Sequence, residues 1–179
     1  ILDILKKRSF RALALHSKVV IVMSAVLILL GTLLLKATEN VTWLGAFFQS
    51  VSARTAGFST YPIGSFTDAG LFVLILLMFV GASPGIKTTT LFALLQATRS
   101  AATGRMPTAF RRTVAGEVVQ KAFIVTLLSA FVVCGGTFIL CLLEPDLTFL
   151  QLLFEATSAF GTVGLSTGIT PQLQPASKL

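Results

Sequence analysis

SARTAGFST at residues 52–60 and SAFGTVGLSTGITP at residues 158–171 carry two versions of one phrase. The copying begins upstream, where Phe48-Gln49-Ser50-Val51-Ser52-Ala53 matches Phe154-Glu155-Ala156-Thr157-Ser158-Ala159 at an offset of 106. Thr55-Ala56-Gly57-Phe58-Ser59-Thr60 then matches Thr162-Val163-Gly164-Leu165-Ser166-Thr167 at an offset of 107, so one residue is inserted between the halves. A short apolar stretch leads into each turn, at residues 41–53 (VTWLGAFFQSVSA) and 147–160 (LTFLQLLFEATSAF). At 13 and 14 residues they are too short to cross a bilayer and suit half-length, re-entrant helices.

The composition says what surrounds this repeat. Of 179 residues, 54% are hydrophobic and 12% charged, about half the charge of an average soluble domain. That leaves too little charge to cover a water-soluble surface, and far too much apolar material for a disordered chain. The net charge of +7 does not indicate nucleic acid, because the basic residues flank apolar spans. Cys134 and Cys141 are seven apart in an apolar run, about 10 Å along a helix, too far for a disulfide. The single histidine, His16, and the lack of a carboxylate cluster leave no metal site.

Residues 19–35 and 122–143 are uncharged apolar runs long enough to span or nearly span a bilayer. Residues 69–98 hold a single charge, Lys87, over 30 positions. One straight helix of that length would rise about 45 Å, more than one crossing needs. Ser83-Pro84-Gly85 interrupts it, because proline removes a backbone donor and glycine relaxes the helix. The expectation is one span broken near its middle, lining a cavity or buried in protein. Lys6, Lys7, Arg8, Arg11 and Lys18 precede the first span, and Arg99, Arg105, Arg111, Arg112 and Lys121 lie between the second and third. The positive-inside rule puts both groups in the cytoplasm and Glu39, Asp68, Glu144, Asp146 and Glu155 outside.

Span, half-helix, turn and span together make a membrane module. The fold class expected is an all-α membrane protein of helix–pore-loop–helix modules. Residues 1–17 are the cytoplasmic end of a preceding module, 18–117 one complete module with its linker, and 118–179 the span, half-helix and turn of the next. The absent fourth span marks the chain as part of a longer protein.

A dehydrated cation needs oxygens in place of its water, and backbone carbonyls supply them where the chain is extended and glycine permits the geometry. Thr162-Val163-Gly164-Leu165 nearly repeats the Thr-Val-Gly of potassium-channel filters, and Thr55-Ala56-Gly57-Phe58 is a looser version. The half-helix before each turn aims its negative end at the ion. No nucleophile–base pair is evident, so an enzyme is not expected. A rival reading is a secondary transporter for a small solute, with broken helices forming a midplane site.

On SARTAGFST at 52–60, FVGASPGIKTTT at 79–90 and SAFGTVGLSTGITP at 158–171, the chain resembles the Ktr/Trk/HKT superfamily of potassium transporters, most of all the bacterial Ktr-type membrane subunit. The resemblance implies four modules around a pseudo-fourfold pore, this chain holding the third and most of the fourth. It implies potassium as the transported ion, with some sodium, in a multi-pass cell-membrane symporter. It also implies a homodimer and a cytosolic nucleotide-binding regulatory ring of the RCK type, with no organic cofactor in this chain. Carried over, the filter residues are Thr55, Ala56, Gly57 and Phe58, and Thr162, Val163, Gly164 and Leu165. The gate is Ser83, Pro84, Gly85, Ile86 and Lys87. Family members usually carry a longer Gly/Ser/Thr run at this break. Here Pro84-Gly85 runs directly into Ile86-Lys87, either because residues are missing from the numbering or because the run is deleted.

Several residues keep two readings. Lys87 belongs to the gate or snorkels at a helix end. Thr88, Thr89 and Thr90 pack helices closely or bond backbone freed by the break. Arg54, beside a filter, is expected to point away and pair with an acid. Glu155 pairs with Arg54 or attracts cations. The basic segment 98–121 docks a regulatory partner, touches anionic lipid or is ordinary positive-inside charge. Trp43 reads as an interfacial anchor. GASPGIKT at 81–88 is not a phosphate loop, since Ile86 separates glycine from lysine and no strand precedes it. A deleted loop predicts a less obstructed pore. Cation flux in cells should be faster with this chain than with a loop-restored form, and equal flux rejects the idea.

Overall fold

The computed structural model describes residues 15–81, 87–104, 108–109, 112–113, 116–174 and 177. Within them six helices run in order: α1 (Leu15–Thr38), α2 (Trp43–Ser52), α3 (Asp68–Phe79), α4 (Thr88–Thr103), α5 (Gly116–Leu143) and α6 (Phe149–Phe160). β1 (Thr108–Ala109) pairs antiparallel with β2 (Arg112–Thr113) in the basic linker. That two-residue ladder is a small departure from the all-α expectation.

Among the described residues α1 and α5 are long and apolar enough to cross a membrane, with mean hydropathies of 2.6 and 2.4 over their spanning stretches. Leu29 and Leu33 on α1 and Phe131 and Leu142 on α5 are exposed. A core helix of a soluble protein would bury such side chains, whereas lipid accepts them. α3 behaves oppositely. It is apolar all round and buries Leu71, Val73, Leu74, Ile75, Leu77 and Met78, leaving Phe72 and Leu76 exposed, as a helix mostly covered by others should. It packs against α1 and α6, while α1 also packs against α2 and α4, and α5 against α4 and α6.

The two copies of the repeat therefore share one core. Phe154, Val163 and Leu165 from the second copy join Leu35, Leu74 and Met78 from the first. Phe154 is fully buried there, and burying a phenylalanine is worth about 1.5–3 kcal/mol. The half-length helices fall where the sequence expects them. α2 and α6, of 10 and 12 residues, rise about 15 and 18 Å.

Threonines start three of the helices. Thr42 Oγ1 accepts the Gly45 N–H at 3.1 Å and Thr67 Oγ1 accepts the Gly70 N–H at 3.2 Å. At α6, Gln151 Oε1 accepts from the Thr148 N–H and hydroxyl at 3.3 and 2.9 Å. Each such cap stabilises its helix by about 1 kcal/mol. The long apolar stretch 69–98 divides into α3, ending at Phe79, and α4, starting at Thr88 with Lys87 at its N-cap.

A second repeated feature closes the C-terminal ends of the two long helices. Glu39, just past α1, accepts the Thr67 N–H and hydroxyl at 2.8 and 2.7 Å. Glu144, just past α5, accepts the Gln174 N–H at 2.6 Å and the Ser177 hydroxyl at 2.8 Å. The acids are 105 apart and their backbone partners 107 apart. Gly70 makes room for the first clasp, since a Cβ there would run into the Glu39 carboxylate. Hydrogen bonds to a charged group contribute about 1.5–3 kcal/mol. Glu144→Ala should therefore lower the unfolding free energy of the purified protein by about 2 kcal/mol. An unchanged Tm would show that the clasp holds nothing.

Candidate functional site

Each half-length helix runs out into a turn whose backbone repeats that of the other copy. Thr55 and Thr162 adopt positive φ of 88° and 52°, and Gly57 and Gly164 adopt 74° and 88°. A β-branched residue at positive φ is a genuine outlier, costing about 1–3 kcal/mol, and such strain gathers at functional sites. The helix end is tied to the turn in the same way twice. Ala56 N–H donates to the Ser52 carbonyl at 3.0 Å, and Val163 N–H to the Ser158 carbonyl at 3.0 Å. The Ser52 hydroxyl donates to the Phe58 carbonyl, and the Ser158 hydroxyl to the Leu165 carbonyl at 2.6 Å.

These ties divide the eight sequence-predicted filter residues. The carbonyls of Phe58 and Leu165 are engaged by serine. Those of Thr55, Ala56, Gly57, Thr162, Val163 and Gly164 accept no hydrogen bond among the described residues. Thr55, Ala56, Thr162 and Gly164 are exposed, while Val163 and Leu165 are buried in the shared core. Six unengaged carbonyls on two short turns form a concentration of acceptors suited to a cation stripped of water.

The turns abut. A Cβ on Gly57 would collide with the Val163 carbonyl oxygen and lie 3.4 Å from Gly164 Cα. Gly57 thus serves two needs, positive φ and the close approach of another backbone. Gly164 has only the first need, because a Cβ there would meet nothing nearer than Gly57 Cα at 3.9 Å.

The flanking residues resolve into particular roles. Among the described residues Arg54 meets no acid. Its Nη1 donates to the Ser24 carbonyl on α1 at 3.2 Å, and its Nε is buried without a partner among the described residues. In place of the expected ion pair it bonds to helix backbone. Glu155 does not pair with Arg54 either. It accepts from Ser166, Thr167 and Thr170, downstream of its own turn. Gln49, its counterpart, donates from Nε2 to the Ser59 hydroxyl at 3.0 Å. Trp43 stands exposed at the start of α2. Of the predicted gate, Ser83, Pro84, Gly85 and Ile86 lie outside the described residues, and Lys87 is an exposed N-cap. The sequence runs from Gly85 directly into Ile86. Thr88 is buried, in keeping with close packing.

Sequence reasoning missed the serine ties and the Glu39 and Glu144 clasps. The signal was present, since Ser52 and Ser158 stand at matched positions of the repeat and each acid closes a span. Nothing in the spacing alone tells which carbonyl a serine will reach.

Residues 3–179 match the TrkH family, described as cation transport protein. The chain belongs to that family. It is 36% identical over 203 residues to the Ktr system potassium uptake protein B of Bacillus subtilis, covering 98% of this chain and 43% of that protein. The Ktr system potassium uptake protein B of Vibrio alginolyticus is 33% identical over 190 residues, covering 96% and 42%. The Potassium/sodium uptake protein NtpJ of Enterococcus hirae is 32% identical over 197 residues, covering 99% and 44%. This TrkH-family chain thus spans less than half the length of these relatives. Each alignment is longer than the chain, so each relative carries residues that the chain lacks. These relatives are ion transporters, in keeping with a protein that is not an enzyme.

The two glycines should respond differently to substitution. Gly164→Ala makes only an ordinary contact with Gly57 Cα and costs the left-handed backbone strain, about 1–2 kcal/mol. Gly57→Ala must also displace the Val163 backbone, so it should lower Tm further. Equal losses, or a reversed order, would contradict the abutting turns.

Proposed function

We propose that this chain forms part of a membrane pathway for potassium uptake, with sodium as a lesser passenger. In this reading residues 18–117 are one complete module, 118–179 most of the next, and 1–17 the end of a preceding one. The modules surround a pseudo-fourfold axis in a multi-pass cell-membrane protein. The Thr55–Phe58 and Thr162–Leu165 turns form two quarters of its selectivity filter. The observation that carries this is the set of six unengaged carbonyls on two strained, abutting turns of matched backbone.

The physical need is large. Moving a bare ion from water into a medium of dielectric about 4 costs tens of kcal/mol by Born solvation. Fixed carbonyl dipoles meet that cost without moving when the ion arrives. The short helices add to this by directing their negative C-terminal ends at the turns. One glycine per turn, rather than the two of potassium channels, leaves the cage looser, which is why sodium is included. The identity of the relatives supports the choice of ion, since their names specify potassium, and in one case potassium and sodium.

The gate belongs at the break between α3 and α4, at residues 83–90, where a helix interruption lies below the turns in chain order. The basic segment 98–121 is the docking place for a cytosolic nucleotide-binding ring of the RCK type, and the working unit is a homodimer and cation symporter. No organic cofactor is assigned to this chain.

The deciding experiment is potassium uptake by a strain that lacks its own uptake systems. The intact protein should restore growth on low potassium. Gly164→Ser, at equal membrane abundance, should reduce potassium uptake at least tenfold, the effect of about 1.4 kcal/mol on ion entry. Undiminished potassium uptake by Gly164→Ser would sink the carbonyl-filter reading and favour a small-solute carrier.

A further inference from the structure

Glu155 occupies a position in the repeat where the other copy has a neutral amide, and the two side chains hold their loops very differently. Glu155 Oε1 accepts the Ser166 hydroxyl at 2.7 Å, the Thr167 N–H at 2.9 Å and the Thr167 hydroxyl at 3.1 Å. Its Oε2 accepts the Thr170 hydroxyl at 3.0 Å. A carboxylate accepts at both oxygens and donates nowhere, and here it meets only donors. Hydrogen bonds to an ionised acceptor are roughly twice as strong as neutral ones. In the first copy, Gln49 makes one neutral bond to Ser59, and its Oε1 is buried without a partner among the described residues.

The consequence concerns stiffness. Ser166 directly follows Leu165, the last residue of the second turn. The Ser158 hydroxyl anchors the Leu165 carbonyl from the helix side. Glu155 anchors the chain from 166 to 170 on the far side, so the Thr162–Leu165 turn is gripped at both ends. The Thr55–Phe58 turn has the serine tie, and the chain beyond it is held only by neutral bonds, from Gln49 to the Ser59 hydroxyl and between that hydroxyl and the Tyr61 backbone. Glu155 also borders an open cavity of about 400 Å³ shared with Thr162, Gly164 and Thr170, so loss of its grip leaves the turn room to move.

We infer that Glu155 is the positioning residue that holds the Thr162–Leu165 turn open at potassium size, and that the Gln49 side of the pathway is the yielding one. This rests on the proposed carbonyl filter. A cage that resists contraction leaves the smaller sodium ion under-coordinated, and a cage that yields accommodates it.

The test measures the sodium-to-potassium uptake ratio of the intact protein, together with membrane abundance and Tm. Glu155→Gln keeps the shape but turns an amide N–H₂ toward donors. It should raise the ratio about tenfold, equivalent to about 1.4 kcal/mol. Glu155→Asp, which keeps the charge, should recover part of the wild-type ratio. Thr170→Val removes one donor from an exposed position and serves if Glu155 variants fail to fold. It should raise the ratio about threefold, as loss of one hydrogen bond implies. Wild-type ratios in both Glu155→Gln and Thr170→Val overturn the inference, as does a Glu155→Asp protein no better than Glu155→Ala. For a Glu155→Gln protein that does not fold, an unchanged Thr170→Val ratio overturns it alone. Gly164→Ser separates the two claims. If it abolishes potassium uptake while the ratios stay at wild type, only the role of Glu155 fails. If it leaves uptake intact, the filter reading itself fails.

Discussion

Two serine hydroxyls hold back two carbonyls, and the rest of the arrangement depends on this restraint. A short helix that ends inside an apolar surrounding must dispose of its last carbonyls and of the polar backbone that follows. Ser52 and Ser158 supply the donors. They reach across six and seven residues to Phe58 and Leu165 and so curl the intervening chain into a tight arc. The arc can close only if its first and third residues take positive φ, and Thr55, Gly57, Thr162 and Gly164 do. With the backbone curled this way, six carbonyls are left without partners among the described residues. The strain on the threonines is thereby linked to the feature that gives the turns a use.

The shared core keeps the strain from relaxing. Val163 and Leu165 are buried against α3 and α1 residues of the other copy, and the Val163 carbonyl sits where a Gly57 side chain would be. Neither turn can unwind without disturbing its neighbour. The Glu39 and Glu144 clasps work at a different level. They fasten the C-terminal end of each long helix to a segment that follows the turn, so each short helix is enclosed by a closed loop of chain. Charge is spent sparingly in this protein, and the acids Glu39, Glu144 and Glu155 are each placed against backbone or hydroxyl donors.

The copies are matched in backbone and unequal in side chains. Glu155 against Gln49, Leu165 against Phe58 and Val163 against Ala56 make the second turn the more buried and more firmly held. Such inequality has no place in a fourfold channel built from identical subunits, but it is open to a chain that repeats its module internally. It allows one quarter of the proposed filter to supply rigidity while another yields.

Much of this was legible in the residues alone. The half-length of 41–53 and 147–160, the interruption of 69–98 and the copied Thr-x-Gly turns follow from hydropathy, helix rise and glycine chemistry, which are local properties. They determined the helices and the candidate residues, and the family resemblance rested on the same stretches. The reach of a serine across a turn, the burial of Val163, the bond from Arg54 to the Ser24 carbonyl and the engagement of Glu155 were not legible. Each depends on which atoms distant segments bring within about 3 Å of one another. Only the tertiary structure decides that, because a hydrogen bond is directional and short-ranged while the sequence records only order along the chain.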